Sequence, residues 1–364
     1  MTALAAARLG IPVRILTDRE TGTSRALSHV TVADWADPFV LQEWVQGCDA
    51  VTVESEWAPA DRLAAVLPPG VALNPGVDAL LAIRHKGRQR ARLAEAGLPQ
   101  PDHAWAETIG QARDALSRFG KAVFKRFEGS YDGYGNATVD SPEGAESAWD
   151  ALAAGGADGQ AGGLLVEAFV PFLAEVAVTV ARRADGESVV YPAVRSEHRD
   201  HRLWAASTPA GLSGETEAAA RETALAAIEA LGVTGVATVE LFVLDRGRVL
   251  VNEVAPRPHN TAHLTLDASH TSQFENHVRA VLGWPLGDPG LRVPAACMIN
   301  VLAGRDGRAE PDLTAALAIP GATVHLYGKD DVRPDRKMGH VTATAGTVED
   351  ARQRAEAAAG AVRL

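Results

Sequence analysis

The stretch Val251-Asn-Glu-Val-Ala-Pro-Arg-Pro-His-Asn-Thr-Ala-His-Leu-Thr265 decides how the rest of the chain is read. Val249, Leu250 and Val251 begin it as an apolar strand, and Pro256 and Pro258, which cannot donate to a sheet ladder, end it. Where the regular backbone stops, the chain sets out a carboxylate (Glu253), a guanidinium (Arg257), two imidazoles (His259, His263) and two amides (Asn252, Asn260). An ordinary turn draws on Gly, Asn, Asp or Ser. This mixture at the end of a strand instead suits binding or catalysis.

Working back along the chain, the strand Val236-Ala-Thr-Val-Glu-Leu-Phe-Val243 carries Glu240 among apolar neighbours, where a carboxylate without a partner would be costly to bury. A turn at Asp245-Arg-Gly247 joins it to the strand ending at Glu253, so a hairpin brings the two carboxylates within reach of each other. With Asn252 they form an oxygen-rich site of the kind Mg²⁺ takes together with substrate phosphates. A second informative stretch, Arg126-Phe-Glu-Gly-Ser-Tyr-Asp-Gly-Tyr-Gly-Asn136, follows the strand Ala122-Val-Phe-Lys125. Gly129, Gly133 and Gly135 let backbone N–H groups converge on an anion, and Lys125 adds a point charge for a phosphate. No Gly-Lys-Ser/Thr opens a helix here, so it is not a Walker loop.

Around these stretches, short β-branched runs from Val13 to Leu73 alternate with helical segments, the rhythm of a doubly wound parallel sheet. Glu54 and Glu56 follow its strand Ala50 to Val53, beyond whose carboxyl end a ligand is expected. One long helix is expected from Val77 to Ala96, with Lys86 inside it, ending at Gly97-Leu98-Pro99. A smaller unit runs to about Pro171. An antiparallel meander of long alternating strands then starts at Leu173. In the tail, Arg333-Pro-Asp-Arg-Lys-Met-Gly-His340 reads as an anion pocket, and the last residues from Thr347 as a surface helix.

Bulk properties narrow the function classes. With 364 residues, 46% hydrophobic and 22% charged, the chain is globular and long enough for two or three domains. A net charge of -11 argues against sequence-independent nucleic-acid binding, which needs a cationic surface. Cys48 and Cys297 have no metal or redox spacing, which fits a reducing cytoplasm. No apolar run approaches the roughly 18 residues of a membrane span, and Met1 to Leu9 lacks the pattern of a secretory signal.

Taken together, the glycine-rich loop, the strand Glu, the meander and the Glu and Asn-Glu on adjacent strands resemble the ATP-grasp family. Asn252 to Asn260, Ser272-Gln-Phe-Glu275 and Arg336-Lys-Met-Gly-His340 resemble its N5-carboxyaminoimidazole ribonucleotide synthetase branch, over nearly the whole chain. The resemblance implies an α/β and α+β chain in three parts: an N-terminal Rossmann-like domain (1–80), a lid (81–171), and a core with the C-terminal domain (172–364). It implies ATP and Mg²⁺ as cofactors, bicarbonate and 5-aminoimidazole ribonucleotide as substrates, and a cytoplasmic homodimer.

By the same resemblance, Lys86 and Lys125 bind ATP phosphates, under a loop of Ser130, Tyr131, Asp132, Gly133, Tyr134, Gly135 and Asn136. Glu167, Ala168, Phe169 and Val170 form the adenine hinge, Glu175 holds the ribose, and His198 lies near the nucleotide. Glu240 and Glu253 hold Mg²⁺, with Asn252 beside them. Arg257, His259 and Asn260 receive bicarbonate and carboxyphosphate and, with Lys337, make up the catalytic group. Tyr131, Glu54, Glu56, Arg336 and Lys337 face the ribonucleotide, the last two at its 5′-phosphate.

The chain departs from the family pattern in four places. It starts just after the usual first strand and glycine-rich turn. Ser130 and Tyr134 replace a Gly and an Arg, Thr261-Ala-His-Leu-Thr265 replaces Ser-Gly-His-Trp-Thr, and Lys86 stands where Arg is common. These departures bear on the acceptor more than on ATP. Competing expectations are another ATP-grasp ligase acting through an acyl phosphate, and a nucleotide-binding protein without turnover.

Overall fold

The computed structural model describes residues 1–18, 22, 29–129, 134–153 and 162–364. Helix α1 (Thr2–Arg8) leads into β1 (Arg14–Thr17) and β2 (His29–Val32), which pair in parallel. Helix α2 (Pro38–Trp44) starts as expected, with Asp37 accepting the Phe39 N–H and a proline in the first turn. Then come β3 (Ala50–Thr52), α3 (Ala60–Val66) and β4 (Ala72–Asn74), with β3 and β4 again parallel. The parallel pairing agrees with expectation. Among the described residues, however, the four strands form two separate pairs of three or four residues each rather than one continuous sheet.

The long helix expected from Val77 to Ala96 is two helices, α4 (Val77–Arg84) and α5 (Lys86–Glu95). His85 breaks it with φ −96° and ψ 104°, and its Nδ1 caps α5 by accepting the Arg88 N–H. Its ring stacks on Phe127, with centroids 4.7 Å apart. Gly87 lets α5 sit close, since a Cβ there would come within 2.5 Å of the Trp105 ring.

The next unit contains two elements that the sequence reading passed over, β5 (His103–Ala106) and α6 (Ile109–Phe119). Thr108 and Gln111 form a capping box at the start of α6, a signal present in the sequence. With β6 (Ala122–Arg126), β7 (Asn136–Val139), α7 (Pro142–Ala153) and β8 (Leu164–Ala168), they give a four-stranded antiparallel sheet ordered β5-β8-β6-β7.

The remainder is built on a nine-stranded sheet. Its strands are β9 (Ala174–Arg182), β10 (Ser188–Val190), β11 (Val194–Arg199), β12 (Arg202–Thr208), β13 (Gly235–Val243), β14 (Val249–Ala255), β15 (Ala295–Leu302), β17 (Ala322–Leu326) and β19 (Lys337–Ala345). They run in the order β14-β13-β9-β11-β12-β15-β19-β17, with β10 on β9. A small hairpin of β16 (Gly307–Arg308) and β18 (Asp331–Val332) stands apart. Part of the basic run, from Lys337 onward, is therefore strand.

Helix α8 (Gly214–Ala230), with α4 and α5, covers one face of the sheet, where Val176, Val178, Val180, Val239, Leu241 and Val251 meet Ala220, Ala224, Ala227 and Ile228. Because side chains alternate along a strand, Glu175 and Glu240 face the other way. On β14 the core residues are Val249, Val251 and Val254, a spacing of two and then three. The ladder slips between Glu240 and Leu241, and this bulge leaves both Asn252 and Glu253 off the core. The C-terminal helix, α10 (Val348–Ala361), is not merely a surface helix. It buries Ala351, Ala355 and Ala358 in the clusters beneath β15 and β19. Cys48 and Cys297 are free, and burial pushes the Cys297 thiol up to about 12, so it stays protonated.

Helix α9 (Gln273–Val281) packs α1 against the body of the molecule through Phe274 and Val278. Its His277 is fully buried: Nδ1 accepts the Val236 N–H at 3.1 Å, which leaves Nε2 to donate to Thr52 Oγ at 2.8 Å. One neutral tautomer thus ties β3 to β13. A Cβ on Gly235, whose φ is +107°, would approach this ring to 3.1 Å. Burial lowers the His277 pKa to about 4. An unfolded chain then takes up a proton below about 6.5 that the folded one refuses down to about 4, so stability falls as pH drops through that window. The loss expected from this residue is on the order of 3 kcal/mol. Denaturation midpoints of wild type and His277→Gln between pH 7 and 4 should converge on acidification; parallel curves would exclude the effect.

Candidate active site

The ends of β9, β13 and β14, the start of α5 and the loop after β14 surround one cleft of about 960 Å³. On its floor Glu240 and Glu253 are direct partners across the β13–β14 ladder. Glu175, on β9, is close enough to Glu240 to share a hydrogen bond. Burial pushes the Glu240 carboxyl well above the usual carboxylate range, and the charges of Glu253 and Glu175 add to it. For Glu253 burial acts in the same direction, but Lys86, then Lys125 and His259, outweigh it and hold the pKa at about 2. Lys86 reaches Glu253 directly because the break at His85 makes it the first residue of α5.

Lys125 is buried at the end of β6, with Nζ 2.6 Å from Glu167 Oε2 and 3.4 Å from Asn252 Oδ1. Asn252 also donates to Glu175 at 3.4 Å, and His198 Nδ1 lies 3.4 Å from the same carboxylate. Of the expected nucleotide residues, Lys125, Glu167, Asn252, Glu175 and His198 therefore form one chain of contacts, and Lys86 and Glu253 form a pair. Among the described residues no group of three His, Cys, Asp or Glu forms a ready metal cage. Two carboxylates beside a third, one of them pushed toward protonation by burial and by the charges of the others, nevertheless fit a dication that also takes ligands from phosphate.

The loop after β14 forms the opposite wall. Arg257 is held by Glu56 through Nε at 2.6 Å and Nη2 at 3.2 Å, which fixes the guanidinium plane. Burial lowers the Glu56-bound guanidinium's pKa, but the hydrogen bond and charge of Glu56 more than reverse this. His259 is kept neutral by burial and then by the Arg257 charge, which together lower its pKa to about 4. Its Nδ1 lies 2.8 Å from Thr261 Oγ and its Nε2 3.6 Å from Glu240 Oε1. Gln273 braces the loop, accepting the His259 N–H at 2.8 Å and donating to the His259 carbonyl at 2.8 Å. Asn260 lines the cleft with its Oδ1 buried and without a partner among the described residues, an acceptor suited to a substrate N–H or O–H.

Other expected positions are placed differently. Glu54 and Lys337 line the cleft, and so does Asn136. Tyr134 is exposed, with Arg202 donating to its hydroxyl at 3.2 Å, and Gly135 turns the chain into β7 with φ +80°. Ser130, Tyr131, Asp132 and Gly133 lie outside the described residues. Of the hinge, Glu167 turns into the protein between Lys125 and Arg90. The Ala168 and Phe169 N–H groups are already used by the Asp102 and Lys121 carbonyls, and none of Glu167, Ala168, Phe169 and Val170 lines the cleft. Phe172, Leu173 and Ala174 line it instead, where the chain bends at Leu173 just before β9 begins. Arg336 is also turned away: Nη1 donates to the Asp331 carbonyl at 2.8 Å, while Lys329 joins Lys337 on the cleft wall.

Known proteins match this arrangement along the chain. The ATP-grasp domain family matches residues 91–274, and the phosphoribosylaminoimidazole carboxylase C-terminal domain matches 296–354. An N5-carboxyaminoimidazole ribonucleotide synthase of Mycobacterium bovis is 36% identical over 371 aligned positions, covering 99% of this chain and 84% of the relative. The chain belongs to the ATP-grasp family, in its N5-carboxyaminoimidazole ribonucleotide synthase branch.

Solved synthetases agree in three dimensions. The Thermus thermophilus enzyme gives a TM-score of 0.85 at 34% identity, covering 97% of this chain and 93% of that one. The Aspergillus clavatus enzyme, solved with ADP and 5-aminoimidazole ribonucleotide, gives 0.87 at 29% identity, with the same coverage of 97% and 93%. A chloroplastic phosphoribosylaminoimidazole carboxylase of Vigna aconitifolia is 37% identical over 94% of this chain, which spans only 61% of that longer protein. The ATP-grasp match takes in β6, β13, β14 and the whole loop to Phe274, and the C-terminal match takes in Lys329 and Lys337.

The sequence does not mark Arg90, Gln89 or the pairing of Glu56 with Arg257, nor Phe172 and Lys329 as cleft residues. Arg90 and Gln89 sit in a helix rich in charge, where nothing in the spacing separates a buried guanidinium from a solvated one. Gln273 was legible only as part of a family motif.

Proposed function

We propose that the chain uses ATP to carboxylate 5-aminoimidazole ribonucleotide with bicarbonate, giving N5-carboxyaminoimidazole ribonucleotide, ADP and phosphate. The observation that carries this reading is the meeting, in one cleft, of the Glu240–Glu253 pair, two lysines and the Arg257–His259–Asn260 wall. Glu240 and Glu253 would hold Mg²⁺, which supplies charge neutralisation at the phosphates. Lys86 and Lys125 add their charge while a bicarbonate oxygen attacks the γ-phosphorus and ADP leaves. Arg257, fixed in plane by Glu56, faces the carboxyphosphate so formed. The acceptor amine then attacks its carbonyl carbon, expelling phosphate, with Asn260 Oδ1 taking a hydrogen bond from the amine. Walls on both sides of the cleft restrict water, which would hydrolyse the mixed anhydride.

The reading also takes in a homodimer in the cytoplasm and a division near residues 80 and 171, all of which follow from family resemblance. Helices α4 and α5 pack on the core of the large sheet, so they move with it. A different amine acceptor is the alternative, favoured by Tyr134, which stands where the family has Arg and is engaged by Arg202. ADP release should require bicarbonate and rise at least tenfold with 5-aminoimidazole ribonucleotide, with one carboxylated product per ADP. Release that ignores this acceptor but responds to another amine would select the alternative.

A further inference from the structure

Arg90 belongs to none of the groups assigned so far, yet it is one of the most buried side chains in the protein, 2% exposed. Its guanidinium bridges two sheets. Nε donates to Glu167 Oε1 on β8 at 2.5 Å, Nη1 to the Val251 carbonyl at 2.7 Å, and Nη2 to the Asn252 carbonyl at 2.6 Å. β14 is the edge strand of the nine-stranded sheet, so these carbonyls have no further strand to bond. Gln89 does the same at Val254, accepting its N–H at 3.2 Å. Helix α5 thus takes the place of a neighbouring strand along the backbone that carries Glu253.

Charge gives this contact a second consequence. Glu167, 2% exposed, divides its carboxylate between Arg90 on one oxygen and Lys125, 2.6 Å away, on the other. Two cations against one anion leave a net positive charge at the cleft end of the group. Without the guanidinium, Glu167 and Lys125 would form a closed neutral pair, and an incoming phosphate would have to compete with a buried carboxylate for the ammonium.

We propose that Arg90 is a positioning residue that reserves the Lys125 ammonium for the nucleotide phosphates by saturating Glu167 from behind. The proposal rests on the nucleotide site described above, and it concerns binding before any chemistry. Arg90→Met removes the charge and the fork, and ADP should bind at least tenfold more weakly. Arg90→Lys keeps the charge and loses the fork; ADP affinity should stay within about threefold of wild type. Arg90→Met/Glu167→Gln removes both charges, frees Lys125 again and should recover most of the affinity lost in the single variant. It also serves if Arg90→Met alone does not fold.

Titration calorimetry with ADP, alongside a denaturation midpoint for each variant, reads all of these. Recovery in the double variant is the signature that a purely architectural role would not give. ADP affinity in the double variant as weak as in Arg90→Met, or weak binding by Arg90→Lys with its fold intact, would overturn the proposal. Absence of ADP binding by the wild-type chain would instead remove the nucleotide site itself, and the proposal with it.

Discussion

Glu253→Ala is expected to lower ADP formation and carboxylation together by on the order of 10³-fold. The carboxylate sits where the nucleotide strand, the cation at the start of α5 and the second acid meet: it pairs with Lys86 and lies opposite Glu240. Its loss should remove a ligand that phosphate oxygens cannot replace. The same substitution takes one negative charge from the cleft and releases Lys86 from its partner. Binding of ADP without metal should therefore be unchanged or tighter, while the gain on adding Mg²⁺ disappears. Calorimetry with and without chelator separates this pattern from simple unfolding, in which both would be lost. Turnover at the wild-type rate would remove Glu253 from the site.

That result tests a pair that could be read from the sequence, because a Glu amid β-branched residues is improbable unless it faces something other than the core. The hairpin joining Glu240 to Glu253 needed only a turn signal and strand length, and Asn252 followed from its neighbour. Legibility ended where position depends on a backbone detail. Spacing alone shows Lys86 only as one lysine inside a long helix, its phosphate role being implied by the family resemblance, and it is the break at His85, with its ring stacked on Phe127, that makes it the first residue of a second helix at the cleft. The bulge that places both Asn252 and Glu253 off the core leaves no mark in an alternating pattern.

A family motif does not show which way each of its residues turns. In the stretch Glu167 to Val170, Glu167 is held in an ion pair and the Ala168 and Phe169 N–H groups are bonded within the protein. The basic run at the C-terminal end divides in the same way. Arg336, just ahead of β19, gives Nη1 to the Asp331 carbonyl, while Lys337, the first residue of that strand, lines the cleft. Composition marks the run as cationic, but which of its charges lines the cleft depends on where the strand begins.

Arg257→Lys is the second large effect. Lysine keeps the positive charge but offers a point where arginine offers a plane, and Arg257 is bound in that plane by Glu56 on two nitrogens, Nε at 2.6 Å and Nη2 at 3.2 Å. The proposed ATP contacts lie elsewhere, at Lys86, Lys125 and Glu253, so the KM for ATP should move by no more than about threefold. The step that depends on a held carboxyphosphate should suffer, with kcat for carboxylation down on the order of 10²-fold. ADP release should fall less than carboxylation, so that the ratio of ADP to carboxylated product rises above one as the anhydride is lost to water. Glu56→Gln keeps the shape of the partner and weakens a charged bond to a neutral one; its effect should have the same direction and be about tenfold smaller. Measuring both products in one assay decides the matter. A raised KM for ATP with coupling intact would move Arg257 from the anhydride wall to the nucleotide.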